Sequence, residues 1–413
     1  MTARRMIFVA VCLAILTSPA TAATADAAVF KPRDPDALLN AQVDNGAIFW
    51  FERTRVSQKA TGGGHIYRRA LASNSVELIF SSSESYSITG FKVGGGRVVI
   101  GQKHSKNLSS RVVELQPQTP AWRPVSLLSR DGAQDGDTCL STARLIAISA
   151  AGEVIAEDRS YIGRAGNCTL QRAHSQLIAI AADGTTRDLL SRVGAWSAGQ
   201  RSGSIAELTP GTGDWMRALE GDPLSGSSLA TLNPFTGESA FTLDAPGADG
   251  DVEIGPDGRM LLPGPHYDDY YGPSDSGGST LLTDPRDLSK SVNLRRNGFT
   301  SYFHLCGEKL IEISLRGGRS GYAYPPARPG RRESRAQSRK RIRANARHEN
   351  KRTWSISIRN ADGTLEARLP TRLKRGTAFE TCDAGTAFFH RAIPKGKGKI
   401  RQFPVPLSAS APT

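Results

Sequence analysis

Seven times along this chain of 413 residues, a turn ending in or near glycine is followed at once by a short apolar run. The glycines are Gly46 (then Ala47-Ile48-Phe49-Trp50-Phe51), Gly96, Gly152, Gly203, Gly258, Gly307 and Gly385, at successive steps of 50, 56, 51, 55, 49 and 78 residues. A nearly even repeat of about 40 to 50 residues, each holding several strands, marks a β-propeller. The pattern therefore predicts an all-β chain: a seven-bladed β-propeller of four-stranded antiparallel blades, with six blades, or eight including a degenerate one, as alternative counts. An apolar fraction of 38% with 42 glycines supplies a continuous core between stacked sheets, so one ring accounts for the whole chain.

Turn chemistry orders the strands within a unit. In the third unit Leu145–Ser149 reads as an inner strand, Ala150-Ala151-Gly152 as a turn, then Val154–Glu157, Gln176–Ala181, the turn Ala182-Asp183-Gly184 and a last strand near Thr185–Leu190. Connections between strands one and two, and three and four, are short and share one face. Those between strands two and three, and between blades, share the other and read as long loops: 56–64, 103–110, 159–175, 208–226, 264–278 and 316–352. Variable loops on a rigid scaffold are where binding sites usually sit, so the long-loop face is the expected site. The 78-residue step places an insertion at 316–352, between the second and third strands of the sixth blade. The last unit has only three strands, so the segment around Ala28–Lys31 is expected to supply the fourth and lock the ring.

The first residues read as an export signal over 1–22: Arg4 and Arg5, the eleven-residue apolar run Met6–Leu16, then Ala20-Thr21-Ala22 before Ala23. Residues 23–413 are then one exported propeller domain, secreted or periplasmic, with no membrane-spanning stretch in the mature chain. Losing Cys12 with the signal leaves Cys139, Cys168, Cys306 and Cys382. Their spacings of 29, 138 and 76 match no zinc ribbon or finger, so disulfides are expected. Cys306 and Cys382 occupy the same position, just before the first turn, in consecutive blades. The frame therefore pairs Cys306 with Cys382 and Cys139 with Cys168.

The stretch Gly255-Pro256-Asp257-Gly258-Arg259-Met260-Leu261-Leu262 resembles the Pro-Asp-Gly hairpin repeat of the TolB-like, WD40-like bacterial propellers, and Ser149–Ala156 is a looser copy. Val93-Gly94-Gly95-Gly96 and Cys382-Asp383-Ala384-Gly385 keep the glycine and lose the Pro-Asp. The resemblance covers the repeat frame and implies the fold and a binding role. It brings no catalytic residues with it.

Charge is concentrated in the insertion. Residues 316–352 hold thirteen Lys or Arg against two Glu, which is +11 of the chain's +14, and Arg4 and Arg5 account for two more. Self-repulsion and few apolar residues predict a disordered arm, with Arg331–Arg347 able to form a transient helix. Its polyanion-binding candidates are Arg331, Arg332, Arg335, Arg339, Lys340, Arg341, Arg343 and Arg347. Export makes nucleic acid a poor natural target; an anionic envelope polymer or an acidic protein is the expected partner of a monomeric chain. A solvated linker with no specific partner is the alternative.

The second candidate is the fifth unit's loop, where His266, Tyr267, Asp268, Asp269, Tyr270 and Tyr271 put aromatic rings beside carboxylates, a set able to stack on sugars or cap a cation. Trp215, assigned to the fourth unit's long loop, would face the same mouth. Acidic turns such as Asp131–Asp137 lack EF-hand order, and Gly199-Gln200-Arg201-Ser202-Gly203 lacks the strand-to-helix elbow of a hydrolase. No cofactor and no metal is expected. The leading reading is a non-enzymatic binding or interaction protein. Its rival is a lyase or hydrolase acting on an anionic polysaccharide through His266, the carboxylates and arginines at the mouth.

Overall fold

In the computed structural model, the described residues are, with short gaps, 27–189, 205–210, 216–220, 228–242, 253–262, 279–294, 301–316, 334–374 and 377–407. Their strands form seven antiparallel sheets, six of four strands and one of five, each from neighbouring stretches of chain except at closure. The architecture is a β-propeller. Numbered along the chain, the blades begin at Gln42, Tyr86, Gly132, Ile205, Glu253, Ser301 and Thr377. In the seventh, the strands Thr377–Cys382, Thr386–Ala392 and Ile400–Pro406 are completed by Ala28–Phe30, which pairs with the last of them in the register Ala28↔Gln402 to Phe30↔Ile400. Both ends of the chain thus share a sheet, as the missing fourth strand predicted.

Alternation along the strands packs the blades. Val98 and Ile100 lie in a cluster with Phe49, Ile66 and Ile79 of the first blade, while Val99 between them packs with Ala143, Leu145 and Val154 of the third. A period of two delivers each strand's apolar side chains to both neighbours, so these runs are near-continuously apolar. Leu38, Ile48 and Trp50 pack with Phe388 and Ile400 across the joint that closes the ring.

The turn glycines serve the purpose expected of them. Gly46, Gly96, Gly152, Gly258 and Gly307 all take φ between 59° and 82°, the left-handed region that tight hairpins require. At Gly95 the reason is also steric, since a Cβ there would stand 2.8 Å from Gly152 Cα of the next blade. The residue after the turn twice becomes a strut between blades. Arg97 pairs with Glu114 (2.8 Å) and donates to Gly152 O (3.0 Å) in the third blade's turn, and Arg259 donates to Glu308 O (2.9 Å) in the sixth blade's.

Three expectations need correction. The segments 56–64 and 159–175 are not loops: Ala47–Val56 continues into Lys59–Ala70, and Val154–Arg164 into Asn167–Ile180, as long hairpins. Their polar, glycine-rich sequences resemble loops, but a projecting hairpin satisfies its backbone across its own ladder and needs no buried side chains. The fourth blade's frame is displaced by one strand. Ile205–Pro210, read as the second strand after a turn at Gly203, is the first strand of its sheet and, among the described residues, pairs only with Met216–Glu220. An apolar pair after glycine looks alike in either place. Lastly, the charge balance predicts a disordered arm over 316–352 with a transient helix at Arg331–Arg347; the described part of the arm, Arg335–Asn350, is an α-helix shifted toward the C-terminal side.

Candidate functional site

The face defined by the connections between strands two and three was the expected site, and the described geometry there is richest between the sixth and seventh blades. Strand Leu365–Lys374 is the fourth of the sixth blade and runs toward that face; Arg391 lies one residue from the end of the second strand of the seventh blade and Arg401 one residue from the start of its third, at the same end. Thr371, Arg372, Leu373 and Lys374 from one blade, and Arg391, Arg401, Phe403 and Ala27 from the other sheet, line a cavity of about 330 Å³. It holds four cations and no carboxylate among its lining residues.

Local structure forces these cations together. Arg391 and Arg401 are register partners on neighbouring strands, so their side chains leave the same face. Directly opposed Cβ atoms in such a pair stand about 5 Å apart, and like charges there are destabilising. Among the described residues no ion pair involving either is found, although the protein spends carboxylates freely elsewhere, as in Arg97–Glu114 and Arg359–Glu312. Two residues along the same face, Phe389 and Phe403 stack at 6.1 Å and 21°, giving the pocket an aromatic wall that is backed by Phe379 and the sixth blade's Ile356 and Ile358. The disulfide Cys306–Cys382, with Cα atoms 5.7 Å apart, ties these two blades together at the opposite face.

The basic arm springs from the same edge. Arg316, where it leaves, is the partner of Thr353, where it returns, and Thr353 is in turn the partner of Lys374 in the pocket wall. The arm's helix begins with a reciprocal cap: Ser334 Oγ accepts from Gln337 N (3.3 Å) while Gln337 Oε1 accepts from Ser334 N (3.0 Å). Arg335, Arg339 and Arg343, four residues apart and exposed, stack along one side, with exposed Lys340 beside them. Arg341 is half-buried and engaged with a neighbour. Arg331 and Arg332 lie outside the described residues, as does the side chain of Arg347.

His266, Tyr267, Asp268, Asp269, Tyr270 and Tyr271 also lie outside the described residues, so the enzymatic reading has no described geometry at its own candidates. Trp215 is outside them too. Cys139 and Cys168 lie on the two strands flanking Val154–Arg164 in the third blade, and their side chains are not among those described.

Four further polar features were not legible as sites. Glu253, on the fifth blade's innermost strand, accepts from Leu305 N (2.6 Å) and shares a hydrogen bond with His304 Nδ1 (2.7 Å), while the imidazole stacks on Phe379 at 4.0 Å. Gln42 bridges the first and second blades in the same manner, donating to Phe91 O and accepting from Val93 N. Both satisfy the open inner edge of the following blade, which makes them structural caps. Lys92, on the second blade's innermost strand, is half-buried, and desolvation lowers its ammonium to about 8. Near the ring closure, buried Glu52 accepts from the Trp50 indole (3.0 Å) and from Arg33 N (3.2 Å), and burial pushes its carboxyl upward. Arg33 also donates to His65 Nε2 (2.9 Å), an arrangement that requires a neutral ring, in keeping with the lowering of His65 by burial and by that guanidinium. These bonds pin the segment after the closing strand.

No known family profile matches this sequence, and no curated protein does. Among solved structures the chain is similar to the β-propeller domain of the Trilobed protease from Pyrococcus furiosus (8% identity, TM-score 0.45, covering 94% of this chain and 100% of that one). It is similar also to polysaccharide lyase Uly1 (9%, 0.45, 90% of each chain) and to a prolyl endopeptidase (10%, 0.46, 89% of this chain). The chain spans about half the length of the endopeptidase, 46% of it. These likenesses go with the propeller layout and say nothing of activity.

Proposed function

We propose that this protein is an exported, TolB-like propeller that binds an anionic envelope polymer at its long-loop face, with the basic arm as an accessory contact. The observation that carries this reading is the convergence of Arg372, Lys374, Arg391 and Arg401 on one cavity, without a lining carboxylate, at the edge from which a segment of net charge +11 departs. Two arginines held opposite each other cost stability, and an anionic ligand relieves that cost. The arm adds long-range attraction and counterion release along a polymer. The disulfide suits an oxidising compartment, and among the described residues no helix is long and apolar enough to cross a membrane. Retention of the protein on an immobilised polyuronate, measured against salt, tests the reading. Elution should require rising salt for the intact chain and come much earlier for Arg391→Gln/Arg401→Gln; equal retention of the two proteins would remove the pocket from the account.

A further inference from the structure

We propose that the cavity between the sixth and seventh blades is a subsite for a single acidic sugar residue, its carboxylate held by Arg391 and Arg401 and its ring set against Phe403. This rests on the anionic-polymer reading and narrows it to one chemistry. A cavity of about 330 Å³ lies at the small end of ligand pockets, room for one ring and not for a stretch of polymer backbone. The paired guanidinium forks match a planar carboxylate, one gripping it through two parallel hydrogen bonds and the other donating to the side of one oxygen; compact phosphates are served as well by lysine point charges. The rest of the lining differs from that of a polyphosphate groove, because Phe403, Leu373 and Ala27 offer carbon surface beside the cations. Phe403 is half-buried and backed by Phe389, so its ring is a fixed platform for the C–H face of a pyranose. Thr371 places a hydroxyl in the same wall, able to exchange hydrogen bonds with the sugar's own hydroxyls.

Calorimetric titration of the full mature chain with trimannuronate, with its carboxyl-reduced counterpart mannotriose, with inorganic sulfate and with polyphosphate tests this. Trimannuronate should bind at least about tenfold more tightly than mannotriose, because the neutral sugar has no carboxylate to accept the charge-assisted hydrogen bonds of Arg391 and Arg401. Arg391→Gln/Arg401→Gln should weaken trimannuronate by about 10- to 100-fold. Phe403→Leu should weaken it by about threefold to tenfold and leave sulfate binding unchanged. If Phe403→Leu fails to fold, Thr371→Val, which removes the wall's hydroxyl and no charge, gives the same comparison between sugar and sulfate. Equal affinity for trimannuronate and mannotriose overturns the inference. So does polyphosphate binding that depends on Arg391 and Arg401 when trimannuronate does not bind, although the anionic-polymer reading then stands. Failure of every anionic probe overturns both.

Discussion

The arm at 316–352 and the pocket at Arg372, Lys374, Arg391 and Arg401 present cations at the same edge of the sixth blade, but they hold them differently. The arm collects its charge by composition, thirteen basic residues along one stretch, and its described helix displays Arg335, Arg339, Lys340 and Arg343 on an exposed surface. The pocket collects four cations from two blades by register, with cross-strand geometry, an aromatic wall and a disulfide behind them. A charged stretch without a shaped surface attracts any polyanion; a preorganised cluster discriminates among them. One region should therefore set how far away and how salt-sensitively a polymer is captured, and the other should decide which one is kept.

That contrast can be tested from its strongest lever downward. The Cys306–Cys382 bond closes a separation of 76 residues across the two blades that form the pocket. Replacing both cysteines by alanine should cost about 4 kcal/mol of unfolding free energy by loop entropy. Trimannuronate affinity should fall with it, while retention through the arm persists; chemical denaturation and calorimetry read the two effects. Lys92 is a control cation outside both regions. Its ammonium is lowered from 10.5 to about 8 by burial, so the unfolded chain holds the proton more tightly and stability is reduced below pH 8 and restored as pH rises toward 10.5. Lys92→Met should raise stability at pH 7 by at most about 3 kcal/mol, lose that advantage by pH 10.5, and leave polymer binding untouched. A melting series from pH 7 to 10.5 that shows no converging curves contradicts this.

Deleting residues 328–352 removes most of the arm's charge. It should reduce affinity for a long polyanion by at least about tenfold at low salt and flatten the salt dependence, without touching selection between acidic and neutral trisaccharides. The smallest effect is expected at the helix cap. Ser334→Ala removes one half of the reciprocal Ser334–Gln337 pair and should cost the helix about 1 kcal/mol. Circular dichroism should show the loss of helix, and long-polymer binding should shift by less than it does on deletion. An unchanged spectrum would mean that the arm's helix is held by something other than its cap.

Much of the frame was legible because it rests on local rules. Positive φ at Gly46, Gly96, Gly152, Gly258 and Gly307 demands glycine, so the turns announce themselves, and the closing strand and the Cys306–Cys382 pairing follow once the turns are counted. The frame slipped at Ile205–Pro210 because one apolar pair after a glycine carries no strand number. The hairpin extensions to Val56 and Arg164 were missed because their sequences carry glycines and polar residues without an alternating apolar pattern. The pocket was harder to read than any of these. Arg372 and Lys374 belong to one blade and Arg391 and Arg401 to the next, and none stands out within a chain already rich in arginine. A signal did exist: Arg391 and Arg401 sit symmetrically about the connection between two readable strands, so the hairpin register alone opposes them.

The central claim is that the pocket, not the arm, recognises the ligand. The most direct measurement is the affinity of the chain lacking residues 328–352 for trimannuronate, titrated from 50 to 300 mM salt beside the Arg391→Gln/Arg401→Gln variant of the intact chain. The account predicts that the shortened protein binds nearly as tightly as the intact one with a shallow salt slope, and that the double variant binds about 10- to 100-fold more weakly. Loss of binding on removing the arm, with the double variant unaffected, would contradict it.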